Sequence, residues 1–328
     1  MILLTADLHL TEKPDDEYRW HSLDFILEQV SASAIDAVYI LGDMFDRKDR
    51  FPSHMVNRLV GKLGEISKLS PVTILMGNHD KPVEAIYPYA SWFNALAHRV
   101  RYIIEPTIEQ DLALLPFNSD PAQAWQNIDF GRVRAAFCHQ CFDKALGSNG
   151  PLEGVKFSFP KHLKVYSGDI HIPQKLGQII YVGAPHPVTF GDQHDTRMLL
   201  LNQRYDIAEE LHVPSIRKRK LIVQNVSELA SLKVSKGDHV QVEVHIKSSS
   251  MSQWSVDLHA VNDWASKHGV KLVSAMPIVD LEAGKTETSN NEVEWGDPEN
   301  VLLAYCHAEK IPEPLMQKGL ELLNGKGI

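Results

Sequence analysis

Residues 37–50 read AVYILGDMFDRKDR: a short apolar run, partly β-branched, that stops at a Gly-Asp pair and then turns polar. A run of that length, bounded by glycine and acids, reads as a buried strand with a loop at its carboxyl end. ILLTAD near the start is a second run of this kind, and PVTILMGNHD at 71–80 is a third. Between the first two, residues 20–33 carry Leu23, Ile26, Leu27 and Val30 at helical spacing. Between AVYILGD and PVTILMGNHD, residues 53–69 do the same with Val56, Leu59, Val60, Leu63 and Ile66. Strand, helix, strand, helix, strand predicts a layered α/β sheet.

Further along, DLALLPF, VRAAFCHQ, KVYSGD, QIIYVGA and TRMLLL are short apolar segments parted by Gly, Pro and Asn, with brief helical stretches at Tyr89–Ala97 and Pro121–Trp125. They predict a second sheet packed on the first, completing a core over residues 1–202. The pattern weakens through YDIAEELHVPSIRKRK, so residues 203–220 read as a linker. HVQVEVHIK then alternates cleanly, SVDLHAVNDWASKHG has helical spacing and VKLVSAMPIV is a strand, which predicts a small βαβ domain over 221–282. Residues 283–328 open with a polar, aperiodic stretch expected to be a flexible loop. They end in amphipathic helical spacing around Ile311-Pro312, either packed on its own domain or offered to a partner.

The 328 residues are 44% hydrophobic and 23% charged, the balance of an ordered globular chain, and no stretch approaches the roughly 20 apolar residues of a membrane span. MILLTADLHL meets an acid too early, and lacks the basic leading segment, to act as a signal peptide, so the expected location is the cytoplasm. Cys138, Cys141 and Cys306 are too few for a disulfide framework. Cys138-His139-Gln140-Cys141 is either a redox pair, half of a zinc site, or two small residues flanking a functional histidine. The net charge of −9 argues against a surface that wraps nucleic acid with uniform positive charge. Carboxylates gathered around divalent cations count as negative in this sum yet are locally neutralised once the cations bind. The basic runs RKDR at Arg47–Arg50 and RKRK at Arg217–Lys220 are solvated faces or contacts for a polyanion.

The chemistry gathers at strand ends. Asp7-Leu8-His9 and Asp169-Ile170-His171 each place a carboxylate and an imidazole at i and i+2, which at a strand end point to one side and could hold a cation between them. Gly42-Asp43 with Asp46, Gly77-Asn78-His79-Asp80, and His139 close three other strands. In a layered α/β fold the carboxyl ends of parallel strands open on one edge, where loops remote in sequence converge. Carboxylate, carboxamide and imidazole donors favour Mn²⁺, Fe²⁺ or Zn²⁺. There are more such donors than one ion of roughly four to six positions accepts, which points to two ions, the arrangement common in phosphoester hydrolysis.

The ordered set DLH, GDMFD, GNHD, a histidine after a strand, and GDIH resembles the signatures of calcineurin-like metallophosphoesterases. The longer contexts GDMFDRKDRF, MGNHDKP and YSGDIHIPQ…YVGAPHPVTF narrow the likeness to SbcD-type DNA repair and recombination nucleases, in a cellular or a phage version. The resemblance implies an α/β metallophosphoesterase fold: two mixed β-sheets packed face to face with flanking helices, then a small βαβ capping domain. It implies a manganese-dependent nuclease with two divalent ions, Mg²⁺, Fe²⁺ or Zn²⁺ being the other candidates. Asp7, His9 and His171 are implied as ligands of the first ion, Asn78, His139 and Asp169 of the second, and Asp43 as the bridge. His79 is the implied catalytic histidine, with Asp46 and Asp80 fixing loops or orienting it. The implied partners are DNA and an SMC-like ATPase resembling SbcC, within a heterotetramer built on a nuclease homodimer; the amphipathic Ser53–Leu69 and Tyr89–Ala97 are read either as the dimer contact or as ordinary core packing. One departure stands out: the family usually writes Gly-His-x-His where this chain has Gly168-Asp169-Ile170-His171, a harder donor set that leans toward Mn²⁺ or Mg²⁺. A stand-alone phosphodiesterase or phosphatase for small nucleotides or phosphoprotein, and a non-hydrolytic DNA-binding subunit, are the rival expectations.

Overall fold

The short apolar runs are strands in the computed structural model, which describes residues 1–48, 51–80, 100–280, 302–303, 306 and 313–323. β1 (Ile2–Thr5) passes through α1 (His21–Ala32) to β2 (Ala37–Ile40), and α2 (Ser53–Leu69) leads on to β3 (Val72–Leu75). With β4 (Val100–Ile103) these strands pair in parallel, side by side, α1 and α2 being the crossovers that parallel pairing of β1, β2 and β3 requires. The apolar stripes of α1 and α2 cover one face of this sheet, with Leu23, Ile26, Leu59, Leu63 and Ile66 packed over Leu3, Val38, Ile40 and Ile74.

The chain then builds a second sheet. β5 (Thr107–Glu109) and β6 (Leu112–Leu115) form a hairpin, and β7 (Ala135–His139) joins β6 in parallel. A minimal ladder of β8 (Leu146–Gly147) and β9 (Gly150–Pro151) intervenes before β10 (Lys164–Gly168), which lies parallel to β7. β11 (Gln174–Leu176) and β12 (Ile179–Tyr181) finish that sheet in the order β11-β12-β10-β7-β6-β5. β13 (Arg197–Leu201) and β14 (Ile207–His212) return to the first sheet, both antiparallel, giving β14-β13-β1-β2-β3-β4. Leu4, Leu41, Leu75, Leu114, Phe137, Tyr166, Leu199 and Leu201 fill the space between the two sheets. The architecture is therefore two mixed sheets face to face with flanking helices.

The expected linker at 203–220 is structured instead. β14 lies in it, and β15 (Lys218–Val223) begins in it. β14 escaped notice because it is an edge strand whose Glu209 and Glu210 face solvent, so its hydrogen bonds to β13 are not reported by alternating hydrophobicity. β15 pairs in parallel with β16 (His239–Lys247), and α4 (Trp254–His268) is the helix of this unit, whereas α3 (Pro121–Ala124) is a single turn between β6 and β7 of the second sheet. α4 leads to β17 (Lys271–Asp280), completing a three-stranded βαβ module in the order β15-β16-β17. Val240, Val242 and Val244 on one side of β16 meet Val261, Trp264 and Ala265 of α4.

The chain divides into a compact unit over Met1–Val279 and a second over Asp280–Ile328. α5 (Glu313–Leu323) belongs to the latter, within the expected C-terminal helical region. Tyr89–Ala97 and the aperiodic stretch at 283–300 lie outside the described residues. No helix among the described residues is long and apolar enough to cross a membrane.

Candidate metal centre

β1, β2, β3, β7 and β10 all release their chains at the same edge, and the loops beyond them carry the polar side chains singled out in the sequence. Two groups of donors form there: His9, Asp43 and His79, and Asp7, Asp43 and His139, each with ligand-type atoms within 4.8 Å of one another. Asp43 belongs to both. His171 joins the first group through an Nε2 that lies 3.1 Å from His9 Nε2, and Asp169 joins the second through a carboxylate oxygen 3.7 Å from His139 Nε2.

The i, i+2 pairs do not work by strand alternation. β1 ends at Thr5, and Asp7 (φ 55°) and His9 (φ 39°) both take the left-handed backbone conformation beyond it. Asp43 (φ 53°) and Asp169 (φ 79°) do likewise, so four candidate donors carry a conformation that costs about 1–2 kcal/mol per L-residue. Hydrogen bonds hold them there: Asp7 N–H to the Gly42 carbonyl (3.1 Å), His9 N–H to the Asp43 carbonyl (2.9 Å), and Asp169 N–H to Asp7 Oδ1 (3.0 Å). The result sends Asp7 toward His139 and His9 toward His79, one member of the pair to each group.

Asp80 is the clamp between loops. Its fully buried carboxylate accepts from the backbone N–H groups of Asp43 (2.9 Å), Met44 (3.0 Å) and Gly77 (2.9 Å). Asp43 in turn accepts from His79 N–H at 2.8 Å. Asp46 orients His79 through its main-chain carbonyl, 2.8 Å from Nδ1, while its carboxylate takes Arg19 Nη1 at 3.0 Å. Gly42 (φ +88°) is required where it stands, because a Cβ there would run into the His139 ring and, at 2.8 Å, into Gly77 Cα.

Three imidazoles have their tautomers set from behind. A carbonyl or an ionised carboxylate only accepts, so the Nδ1 atoms of His79 (facing Asp46 O), His139 (facing Leu41 O) and His171 (facing Asp192) carry the proton. Whenever the ring is neutral, each Nε2 then has the lone pair. Asp7 Oδ2, His9 Nδ1, Asn78 Oδ1 and His139 Nε2 are buried with no hydrogen-bond partner. Buried polar atoms are ordinarily satisfied. Four orphans in one cluster, lone-pair donors by chemistry, fit a pair of divalent cations.

The electrostatics agree. Burial, reinforced by the neighbouring carboxylates of Asp43 and Asp169 and opposed by His139, pushes Asp7 up to about 7. Burial and Asp43 push Asp80 to about 7, and burial raises Asp169. Asp43 goes the other way: burial opposes its ionisation, but the imidazoles of His139, His9 and His79 outweigh that and hold it below the usual carboxylate range. His139 is raised by Asp43, Asp169 and Asp7 against its burial, whereas burial lowers His9. Crowded carboxylates that resist ionising together are what a bound cation would relieve.

Arg19, His186 and Asp192 also build the site, and sequence reasoning missed all three. Arg19 is buried and binds the His9 carbonyl as well as Asp46. His186 donates from Nε2 to the Leu8 carbonyl at 2.9 Å and sits 2.8 Å from Ser22 Oγ. Arg19 lies in the polar stretch PDDEYRWH and has no periodic signal, while Asp192 follows a Gly just past the YVGAPHPVTF stretch, the one hint of a further strand-end acid. Cys138 and Cys141 form no donor group with other residues among those described; Cys138 is buried and directed at the Tyr166 carbonyl.

A sequence model of the family described as calcineurin-like phosphoesterase matches residues 1–275. Two viral proteins named as phosphoesterases are similar: 244L of Invertebrate iridescent virus 6, 30% identical over 53% of this chain and 66% of its own length, and 078R of Invertebrate iridescent virus 3, 22% identical over 69% of this chain and 70% of its own. The chain thus spans just under two thirds of the first relative. The crystal structure of Pseudomonas putida nuclease MPE is similar at 14% identity over 65% of this chain and 79% of that one, with a TM-score of 0.30.

Proposed function

The chain belongs to the calcineurin-like phosphoesterase family, and from that premise we propose that it is a manganese-dependent DNA nuclease that hydrolyses phosphodiester bonds with two metal ions, as the nuclease subunit of an SbcC/SbcD-like recombination and repair complex. The observation that carries the metal-dependent part is the pair of donor groups sharing Asp43, with their unpartnered buried atoms. The narrower nuclease part is supported by the motif contexts GDMFDRKDRF and YSGDIHIPQ and by a βαβ module following the catalytic core.

On this reading Asp43 would hold both ions, His9 and His171 one, and Asn78, His139 and Asp169 the other, while Asp7, expected beside His9 and His171, stands in the group of Asp43 and His139. Bound there, the ions supply Lewis-acid polarisation of a phosphoryl oxygen and lower the pKa of solvent. His79, with Nδ1 donating to the Asp46 carbonyl, would present Nε2 to the scissile phosphate or the leaving oxygen, and would give that oxygen a proton from Nε2 when the ring is in its doubly protonated form. Asp80 and Asp46 keep the Asp43 and His79 loops in register. The charge of −9 is then partly the apo count of a carboxylate-rich centre.

The test is a substrate panel with Mn²⁺: linear duplex DNA, a DNA hairpin and cyclic nucleotides. Cleavage of the DNA substrates, abolished by chelation, is expected. Rapid turnover of the nucleotide alone would assign a small-molecule phosphodiesterase instead, and DNA binding with no cleavage would assign a non-hydrolytic subunit.

A further inference from the structure

The His171 side chain is 23% exposed, against 3% for His9 and 0% for His139, so something must fix its ring. Asp192 stands behind it. The Asp192 side chain is 1% exposed, and such a carboxylate is seldom buried without partners. Its Oδ2 accepts from the N–H groups of Val188 (2.9 Å) and Thr189 (2.7 Å) and faces His171 Nδ1 at 3.2 Å. Its Oδ1 takes Ser148 Oγ (3.1 Å) and Thr189 Oγ1 (2.9 Å). Four of the five bonds therefore tie Asp192 to its surroundings and leave the fifth to orient the imidazole, turning Nε2 toward His9 Nε2.

The loop that carries Asp192 is itself held from two sides. Tyr18 Oη donates to the Pro187 carbonyl (2.8 Å), and Arg19, already bound to His9 and Asp46, donates to the Val188 carbonyl (3.3 Å). From the βαβ module, Lys218 of β15 donates to the same Val188 carbonyl at 3.0 Å, and Gln193 Nε2 returns a bond to the Lys218 carbonyl at 2.8 Å. Lys218 Nζ is buried and 3.7 Å from Asp16, so its charge is anchored rather than free to wander. A continuous path of bonds runs from the first strand of the module, through Val188 and Asp192, to His171.

We propose that Asp192 is a positioning residue for His171, and that Lys218 sets it through the 187–193 loop, so that the βαβ module supports one half of the metal centre through that loop. This rests on the metal-centre reading above. A partner to the outer nitrogen of a ligating histidine fixes its tautomer and basicity, and losing it typically lowers metal affinity by about 10–100-fold.

The experiment is a Mn²⁺ titration of the full chain, following free Mn²⁺ by its paramagnetic resonance signal, on wild type, Asp192→Asn, Lys218→Met, His171→Ala and the two doubles with His171→Ala. Asn keeps the size of Asp192 and an acceptor for the loop while removing the charge that His171 Nδ1 meets. One of the two equivalents of Mn²⁺ is expected to bind about tenfold less tightly in Asp192→Asn and about threefold less tightly in Lys218→Met. On the His171→Ala background each change is expected to add less than about twofold, since both act through that ring. A purely structural role would lower affinity equally on both backgrounds, and that result overturns the proposal, as does wild-type affinity in Asp192→Asn. Should Asp192→Asn fail to fold, the Lys218→Met cycle decides by the same criterion. Wild type that binds no Mn²⁺ would remove the metal-centre reading itself and this inference with it; two equivalents bound, untouched by these changes, would remove this inference alone.

Discussion

His79 has two descriptions that its removal separates. Its ligand-type nitrogen lies within 4.8 Å of donor atoms of His9 and Asp43, while the bond from Nδ1 to the Asp46 carbonyl orients the ring equally well for a ligand or for a residue aimed at substrate. The proposed role predicts that His79→Ala lowers phosphodiester hydrolysis by about 10²–10⁴-fold while metal analysis still finds two Mn²⁺ per chain. A fall to one would make His79 a ligand. Protonation offers a second test. Asp7 and Asp80, each pushed to about 7 by burial, keep protons in the folded apo-protein that the unfolded chain has already released, so the stability they contribute is present at low pH and lost as pH rises toward 7. Mn²⁺ must displace protons from Asp7 and from the raised His139. The increase in melting temperature on adding Mn²⁺ is therefore expected to be larger at pH 8 than at pH 5.5 by scanning calorimetry, and an equal or smaller increase at pH 8 would contradict this electrostatic picture.

Strands and helices were readable where packing writes a period into the residues. α2 runs from Ser53 to Leu69 as its apolar spacing predicts, because Leu59, Leu63 and Ile66 have to meet the first sheet. The loops were readable only as composition. That Asp7, His9, Asp43 and Asp169 take left-handed backbone, and so divide each Asp-x-His pair, follows from hydrogen bonds between loops far apart in sequence, which no local pattern encodes. β14 was missed for the related reason that an edge strand with solvent-facing acids keeps its ladder and loses its alternation. Two glycines test this contrast. Gly42→Ala puts a Cβ on a left-handed residue and against His139, and is expected to cost about 2 kcal/mol or more in urea unfolding and to weaken Mn²⁺ binding. Gly61→Ala, inside α2 with nothing within 4 Å of the added carbon, is expected to stabilise by about 0.5–1 kcal/mol and leave the centre alone. Equal effects at the two positions would remove the case that Gly42 is kept for close approach.

Across the whole molecule, two mixed sheets press their inner faces together so that five loops from both sheets reach one edge, and residues separated by more than 160 positions come into contact there, as Asp169 N–H and Asp7 do. The residue types in those loops point to a candidate metal centre from the sequence alone, since a chain has little other use for this many buried carboxylates and imidazoles. What they withheld was the support: Arg19, His186 and Asp192 look like ordinary surface residues in sequence and are buried in the fold. Anomalous diffraction from a crystal soaked in Mn²⁺ tests the account most directly. It predicts two manganese peaks about 3.5–4 Å apart, with the Asp43 carboxylate between them and Asp7, His9, Asn78 and His139 around them. One peak, none, or two on separate surfaces away from Asp43 would contradict it.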